Sequence, residues 1–140
     1  MIVSEKTILI MYQLFSVVRI EMAASASKFV GMLMNSRSQA HSFHLTTQSY
    51  AQHKALQNYY EGIVPLLDEW AEAYMGRYGR LHRITMNRRF LSDPKKAKVY
   101  FRGLLTRIRA LRLPRDSYLR SIQDEITVLI RSTLYMLTLK

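Results

Sequence analysis

The sequence predicts an all-α chain forming one domain. Three observations carry this: apolar residues recur at three-and-four spacing over four long stretches, glycine and proline are modest, and 49% of the 140 residues are hydrophobic. A chain of this size buries one good core and is too short for two comfortable ones. It contains no cysteine. Disulfides, thiolate zinc sites and thiol nucleophiles are therefore excluded, and any metal must be held by nitrogen and oxygen.

Residues 1–22 are expected to stand apart from that domain, which occupies 23–140. Thr7 to Val18 form an apolar run too short to span a bilayer and close in length to a signal-peptide core, and Ala24-Ser25-Ala26 has cleavage-site character. Arg19 and Glu21 fall between the run and that site, and Glu5 offsets Lys6, which argues against secretion. The expectation is an extra amphipathic segment packed on the body or on a neighbouring subunit, or an upstream start with Met22 as the biological beginning.

The first helix of the domain is predicted from about Ala23 to Leu45, with Phe29, Val30, Leu33, Met34 and Ala40 at helical spacing. Thr46 to Ser49 break the pattern. Ser49 and Gln52 then form a predicted capping box, each side chain serving the other residue's free amide. The second helix carries Leu56, Tyr59, Ile63, Leu66, Leu67, Trp70 and Tyr74 to about Met75, with Gly76 and Gly79 at its end. Gly62 and Pro65 predict a kink near Glu61. The short turn between these helices makes them antiparallel neighbours.

Residues 77–91 are basic and irregular, and long enough to run from one end of a bundle to the other. Asp93 is the predicted cap and Pro94 the first position of a third helix, which runs on Phe101, Leu104, Leu105, Ile108 and Leu111 until Pro114. A fourth helix follows from Ser117 on Leu119, Ile122, Ile126, Leu129, Ile130, Thr133 and Leu137. Four helices with one long crossover between the second and third describe a ferritin-like four-helix bundle. The methionines and tyrosines fall largely on apolar faces and are assigned to the core.

The formal charge of +11 is unevenly spread. Residues 77–120 hold 14 Lys and Arg against Asp93 and Asp116, a net +12, while the rest of the chain is close to neutral. Such a segment suits phosphates, although a solvated charged surface is the ordinary alternative. Nucleic-acid binding would fall to Arg77, Arg80, Arg83, Arg88, Arg89, Lys95 and Lys96, and would be salt-sensitive and without base preference.

Asp68 and Glu72 are four residues apart, so one helical face can present both carboxylates to one ion. His41 and His53 flank the turn between the first two helices, and His44 is a neighbour, not a favoured ligand. His53 and Asp68 lie fifteen residues apart on one helix, roughly 22 Å along its axis. One chain cannot close such a site. A two-fold axis between antiparallel second helices would place the histidines of one chain opposite the carboxylates of its mate, giving two equivalent sites per dimer. The ordinary alternative is that the histidines are polar residues at a turn and that the carboxylates form salt bridges with Lys or Arg.

The run Gln39-Ala40-His41, eleven intervening residues, His53, then Asp68-Glu69-Trp70-Ala71-Glu72 and Gly76 resembles the signature of the Dps-type miniferritins, within the ferritin-like superfamily. The likeness covers residues 23–76, and Ser-Tyr-Ala-Gln-His-Lys-Ala-Leu at 49–56 is similar to uncharacterised Dps-like proteins of bacteriophages. The resemblance implies His41 and His53 as nitrogen ligands, Asp68 as a bridging or terminal carboxylate and Glu72 as the second, with ferrous iron (Fe2+) bound and oxidised, a ferroxidase-type reaction, and zinc as a competitor. It implies a symmetric homo-oligomeric cage built on a two-fold interface, with non-specific DNA as a further partner and no membrane. The expected location is the cytoplasm, or host cytoplasm or virion for a phage-encoded chain. Two departures matter. Ten acidic residues are few for lining a mineral cavity, and the amino terminus is apolar where Dps proteins often carry a lysine-rich tail. The competing expectation is a catalytically silent phage structural or nucleic-acid-binding protein on the same bundle.

Overall fold

The computed structural model describes residues 2–87 and 89–140. Four α-helices and one 3-10 turn account for its regular structure, with no strand among the described residues: α1 (Glu5–Thr46), α2 (Tyr50–Tyr78), the turn Pro94–Lys96, α3 (Ala97–Arg109) and α4 (Ser117–Met136).

α1 starts at residue 5, capped by Ser4, whose Oγ accepts the Thr7 N–H at 3.2 Å, and runs unbroken through 42 residues, about 63 Å. Only its second part joins the body. Ala26, Phe29, Val30, Leu33, Ala40 and Phe43 are buried, whereas residues 2–21 are exposed throughout. Of the expected places for this segment, the body of the same chain does not cover it.

Ser49 caps α2 by accepting the Gln52 N–H at 3.2 Å, but the reciprocal half of the capping box is absent. The Ser49 N–H goes instead to the Thr47 hydroxyl, and the Gln52 side chain reaches across to donate to the Pro94 carbonyl at 2.6 Å. A residue read as a local cap is thus a tertiary tie to the start of α3. α2 continues without interruption through Pro65, which sits on its exposed side, so that the carbonyl left without a partner there faces water. It stops where Gly79 takes φ +95, a left-handed conformation that a side chain would strain, with its N–H bonded to the Met75 carbonyl.

The core lies between α1, α2 and α4. Trp70 is fully buried, edge-on to Phe29 at 4.7 Å and stacked on Tyr74, and Tyr59 meets Phe101 edge-on at 4.6 Å. Burial pushes the Tyr59 hydroxyl far up, so it stays protonated and hydrogen-bonds Ser36 Oγ at 2.6 Å, a polar tie within the α1–α2 contact. α3 is shorter and buries Ala97, Phe101, Leu104 and Leu105. α4 buries Leu119, Ile122, Ile126, Ile130 and Thr133.

Residues 79–93 form no helix among those described and lie along α1. Arg80 and Arg83 border Ala23, Ala24 and Lys28, the Thr85 carbonyl rests on Gly31, and the Leu91 N–H and C=O are both bonded to the Gln39 side chain at 2.8 Å. The connection therefore covers about 24 Å of helix, from residue 23 to 39, and delivers α3 to the α1–α2 turn. Asp93 caps as expected, its Oδ1 accepting the Lys95 N–H at 3.0 Å, but the turn it starts is 3-10 and becomes α-helical only at Ala97. α3 then descends beside α1 and α4, its far end tied to α1 by the Arg112 N–H to Ser25 Oγ and by an Arg112–Glu21 ion pair at 3.0 Å. α4 returns: Asp116 at its start accepts from Tyr78 at the end of α2, and Met136 at its end meets Asn58 near the start of α2.

A Cβ on Gly31 would strike the Thr85 carbonyl, a backbone atom that cannot swing aside. Gly31→Ala should cost about 1–3 kcal/mol despite the better helix former, seen as a lower Tm and faster tryptic cleavage at Arg80 and Arg83. Gly76→Ala, where a Cβ meets nothing within 4 Å, should raise Tm instead. The Tyr78 hydrogen bond, with Arg77 contributing, holds the Asp116 carboxyl below its ordinary range. A carboxyl so lowered stabilises the fold above its unfolded pKa of about 4, and this is lost as pH falls through the folded value. The Tm deficit of Tyr78→Phe should be present at pH 7 and close progressively below about pH 4.

Candidate metal site on the first two helices

The α1–α2 turn gathers three histidines. His44 Nδ1 bonds the His53 carbonyl and His53 Nδ1 bonds the His44 carbonyl, both at 2.9 Å, and the two rings stack at 3.7 Å with 24° between their planes. A carbonyl only accepts, so each Nδ1 carries the proton and each Nε2 keeps its lone pair. His41, half-buried, tilts against Tyr60 at 4.5 Å and lies 6.0 Å from His44. His44, read from the sequence as a neighbour, is the direct partner of His53. Its spacing of three from His41 is the signal that could have placed both on one side of α1.

Stacking limits what this pair can hold. Imidazole binds metal in the plane of its ring, and two rings stacked face to face direct their lone pairs along nearly parallel planes. His44 and His53 therefore do not converge on one ion in this arrangement. Their Nδ1–carbonyl bonds are nevertheless the kind that orients a ligating imidazole, leaving Nε2 as the donor.

Asp68 and Glu72 are exposed on α2. Among the described residues neither pairs with a Lys or Arg; the ion pairs present are Arg77–Asp116 and Arg112–Glu21. At 100° per residue, His53, Gln57, Val64 and Asp68 fall within about 60° of arc on one side of α2. Asp68 and Glu72 remain fifteen and nineteen residues beyond His53, so the acids and the histidines form two separate groups. Among the described residues no three His, Asp or Glu side chains gather closely enough to hold an ion.

The basic residues are not brought onto one face. Arg77 pairs with Asp116 at 3.6 Å and lies 4.7 Å over the Tyr78 ring, and Arg80 and Arg83 edge a groove beside Lys28, all at the end of the bundle from which α1 projects. Lys95 and Lys96 sit at the opposite end, by the turn at Gln52. Arg89 lies between, its N–H bonded to Asn87, and Arg88 falls outside the described residues. Gln39, part of the motif around His41, proves to be the side chain that seats the connection.

The chain is 37% identical over 57 residues to an uncharacterised 14.6 kDa protein from the mobD-ri intergenic region of Enterobacteria phage T4, an alignment covering 41% of this chain and 44% of that protein. This chain thus matches less than half the length of that relative. No solved structure matches. A family model of unknown function, DUF5856, matches residues 44–137, taking in His44, His53, Asp68, Glu72 and everything from α2 through α4, and leaving out His41 and the projecting part of α1. On that match, the chain belongs to the DUF5856 family.

Proposed function

We propose that this chain is a miniferritin-like protein that binds ferrous iron between two-fold related subunits and promotes its oxidation. The observation that carries the reading is the layout of α2: half-buried His53 at one end, exposed Asp68 and Glu72 about 22 and 28 Å further along, with Asp68 within about 60° of His53, and no basic side chain among the described residues neutralising the acids. Two such helices packed antiparallel about an axis near residue 61 bring His53 of each against Asp68 and Glu72 of the other, with His41 as the second nitrogen donor. The helix order, with a long connection between α2 and α3, is compatible with a ferritin-like bundle and a symmetric cage.

Nitrogen and carboxylate donors with open positions suit Fe2+ as substrate, and zinc would compete for the same donors. Two ferrous ions supply the two electrons that, with two protons from solvent, reduce one hydrogen peroxide to two waters, and both ions leave the step as Fe3+. The phage relative supports placing the protein in an infected host cell or a virion. One observation favours a second reading. The reciprocal His44–His53 bonds give both histidines a complete structural role at the turn, as in a silent scaffold that serves structure or nucleic-acid binding alone.

Anaerobic Fe2+ titration followed by peroxide or air separates the two. The proposed site requires saturable binding of at least one iron per chain and oxidation faster than free iron, with Asp68→Ala reducing the rate tenfold or more while leaving oligomer size unchanged. Oxidation no faster than in buffer would leave the scaffold reading. His44→Gln tests the clamp: if His44 acts only by orienting His53, Tm should fall while iron binding weakens about 10–100-fold without vanishing.

A further inference from the structure

The first part of α1 is an apolar helix with nothing packed on it. Ile8, Leu9, Ile10 and Met11 are consecutive and 44%, 60%, 55% and 61% exposed, followed by Tyr12, Leu14, Phe15, Val17, Val18 and Ile20, each more than half exposed. Four consecutive positions sweep most of the way round a helix, and the polar side chains of the run, Gln13 and Ser16 with Lys6 and Arg19 beyond its ends, lie on a strip that Leu9 and Ile20 interrupt. A helix apolar round most of its circumference belongs in a protein core or a lipid bilayer, whereas a coiled-coil seam carries a single apolar stripe. No core covers it: the most apolar stretch is wholly unburied. A cleaved signal sequence fits poorly too, because Ala26 is fully buried and Ser25 accepts the Arg112 N–H, so the small-residue site lies within the folded body.

What surrounds the base of this helix identifies its partner. Lys28, Arg80 and Arg83 border the groove beside α1, with Arg77, Arg112 and Arg115 at the same end of the bundle. Glu21 and Asp116, the acids at this point, are each already paired with an arginine. The uncharged run from Thr7 to Val18 extends about 18 Å, and the long side chains of Lys6 and Arg19 at its two ends can reach outward to the headgroups, bringing the helix towards the roughly 30 Å hydrocarbon thickness of a bilayer. An apolar helix rising from a cationic collar is complementary to acyl chains beneath anionic headgroups, and lysines and arginines near a membrane surface each strengthen binding to such lipid. A nucleic-acid duplex laid on this end would meet the projecting helix first.

We propose that residues 2–18 insert into an anionic lipid bilayer as a helical anchor, with Arg19 at the surface and the Lys28, Arg80, Arg83 and Arg115 collar seated on lipid phosphates. This departs from the expectation of no membrane partner. That expectation rested on the shortness of the uncharged run; the helix is in fact continuous through its charged flanks. The proposal stands independently of iron binding.

The test is flotation of the purified full chain with vesicles of phosphatidylcholine alone and of phosphatidylcholine with phosphatidylglycerol. The chain should float with the anionic vesicles and resist stripping by high salt. Ile10→Asp with Phe15→Asp, which touches nothing in the body, should abolish flotation while leaving the melt of the bundle unchanged. Arg80→Ala with Arg83→Ala should reduce partitioning to anionic vesicles by roughly tenfold and leave neutral vesicles unaffected. Three results would overturn the proposal: no flotation with either lipid; a lipid-free oligomer that only Ile10→Asp with Phe15→Asp disperses, which would make a second copy the occupant; or a mature chain cut after Ala26.

Discussion

The seating of residues 79–93 on α1 decides the rest of the architecture. Without it, α3 has no fixed starting place, because it is short and buries only four side chains of its own. Two features make the contact. Gly31 lets a backbone carbonyl approach a helix more closely than any side chain permits, and Gln39 offers both a donor and an acceptor to the backbone at Leu91. With those points occupied, α3 must begin beside the α1–α2 turn, and the Gln52–Pro94 bond secures it there. The directions of α3 and α4 follow.

The same arrangement gives the molecule two chemically unlike ends. At one, the turn collects His41, His44 and His53 with Tyr60 under Lys95 and Lys96. At the other, an apolar helix leaves the body among arginines. The connection carries basic residues to both ends, so a charge excess continuous in the sequence is divided in space. This weakens any account in which one nucleic-acid surface uses all of them, and it gives the cations near α1 a different neighbour to serve.

Around the histidines, structure and chemistry compete for the same atoms. The exchange of Nδ1–carbonyl bonds between His44 and His53 crosslinks the last turn of α1 to the first of α2, a stabilising use of two imidazoles in a turn of three residues. The same bonds leave both Nε2 atoms free. Both rings are therefore held in one tautomer and one orientation by the fold itself. The carboxylates Asp68 and Glu72 show the opposite character: they are exposed and, among the described residues, make no ion pair.

The sequence by itself determined the helical class, the number of helices in the body, the faces of α2 and α4, the Ser49 and Asp93 caps, and the separation of Asp68 and Glu72 from the histidines. These depend on periodicity and on rise per residue, which are local properties of the chain. Tertiary structure decided what the polar side chains do. Gln52 left its capping box for Pro94, Gln39 became the seat of a loop, His44 became the partner of His53, and Pro65 was absorbed into an unbroken α2. It also decided that residues 2–21 extend α1 away from the body. Hydrophobic burial is imposed by pattern, but a hydrogen bond is made with whichever partner packing brings within about 3 Å, and that partner can be fifty residues away.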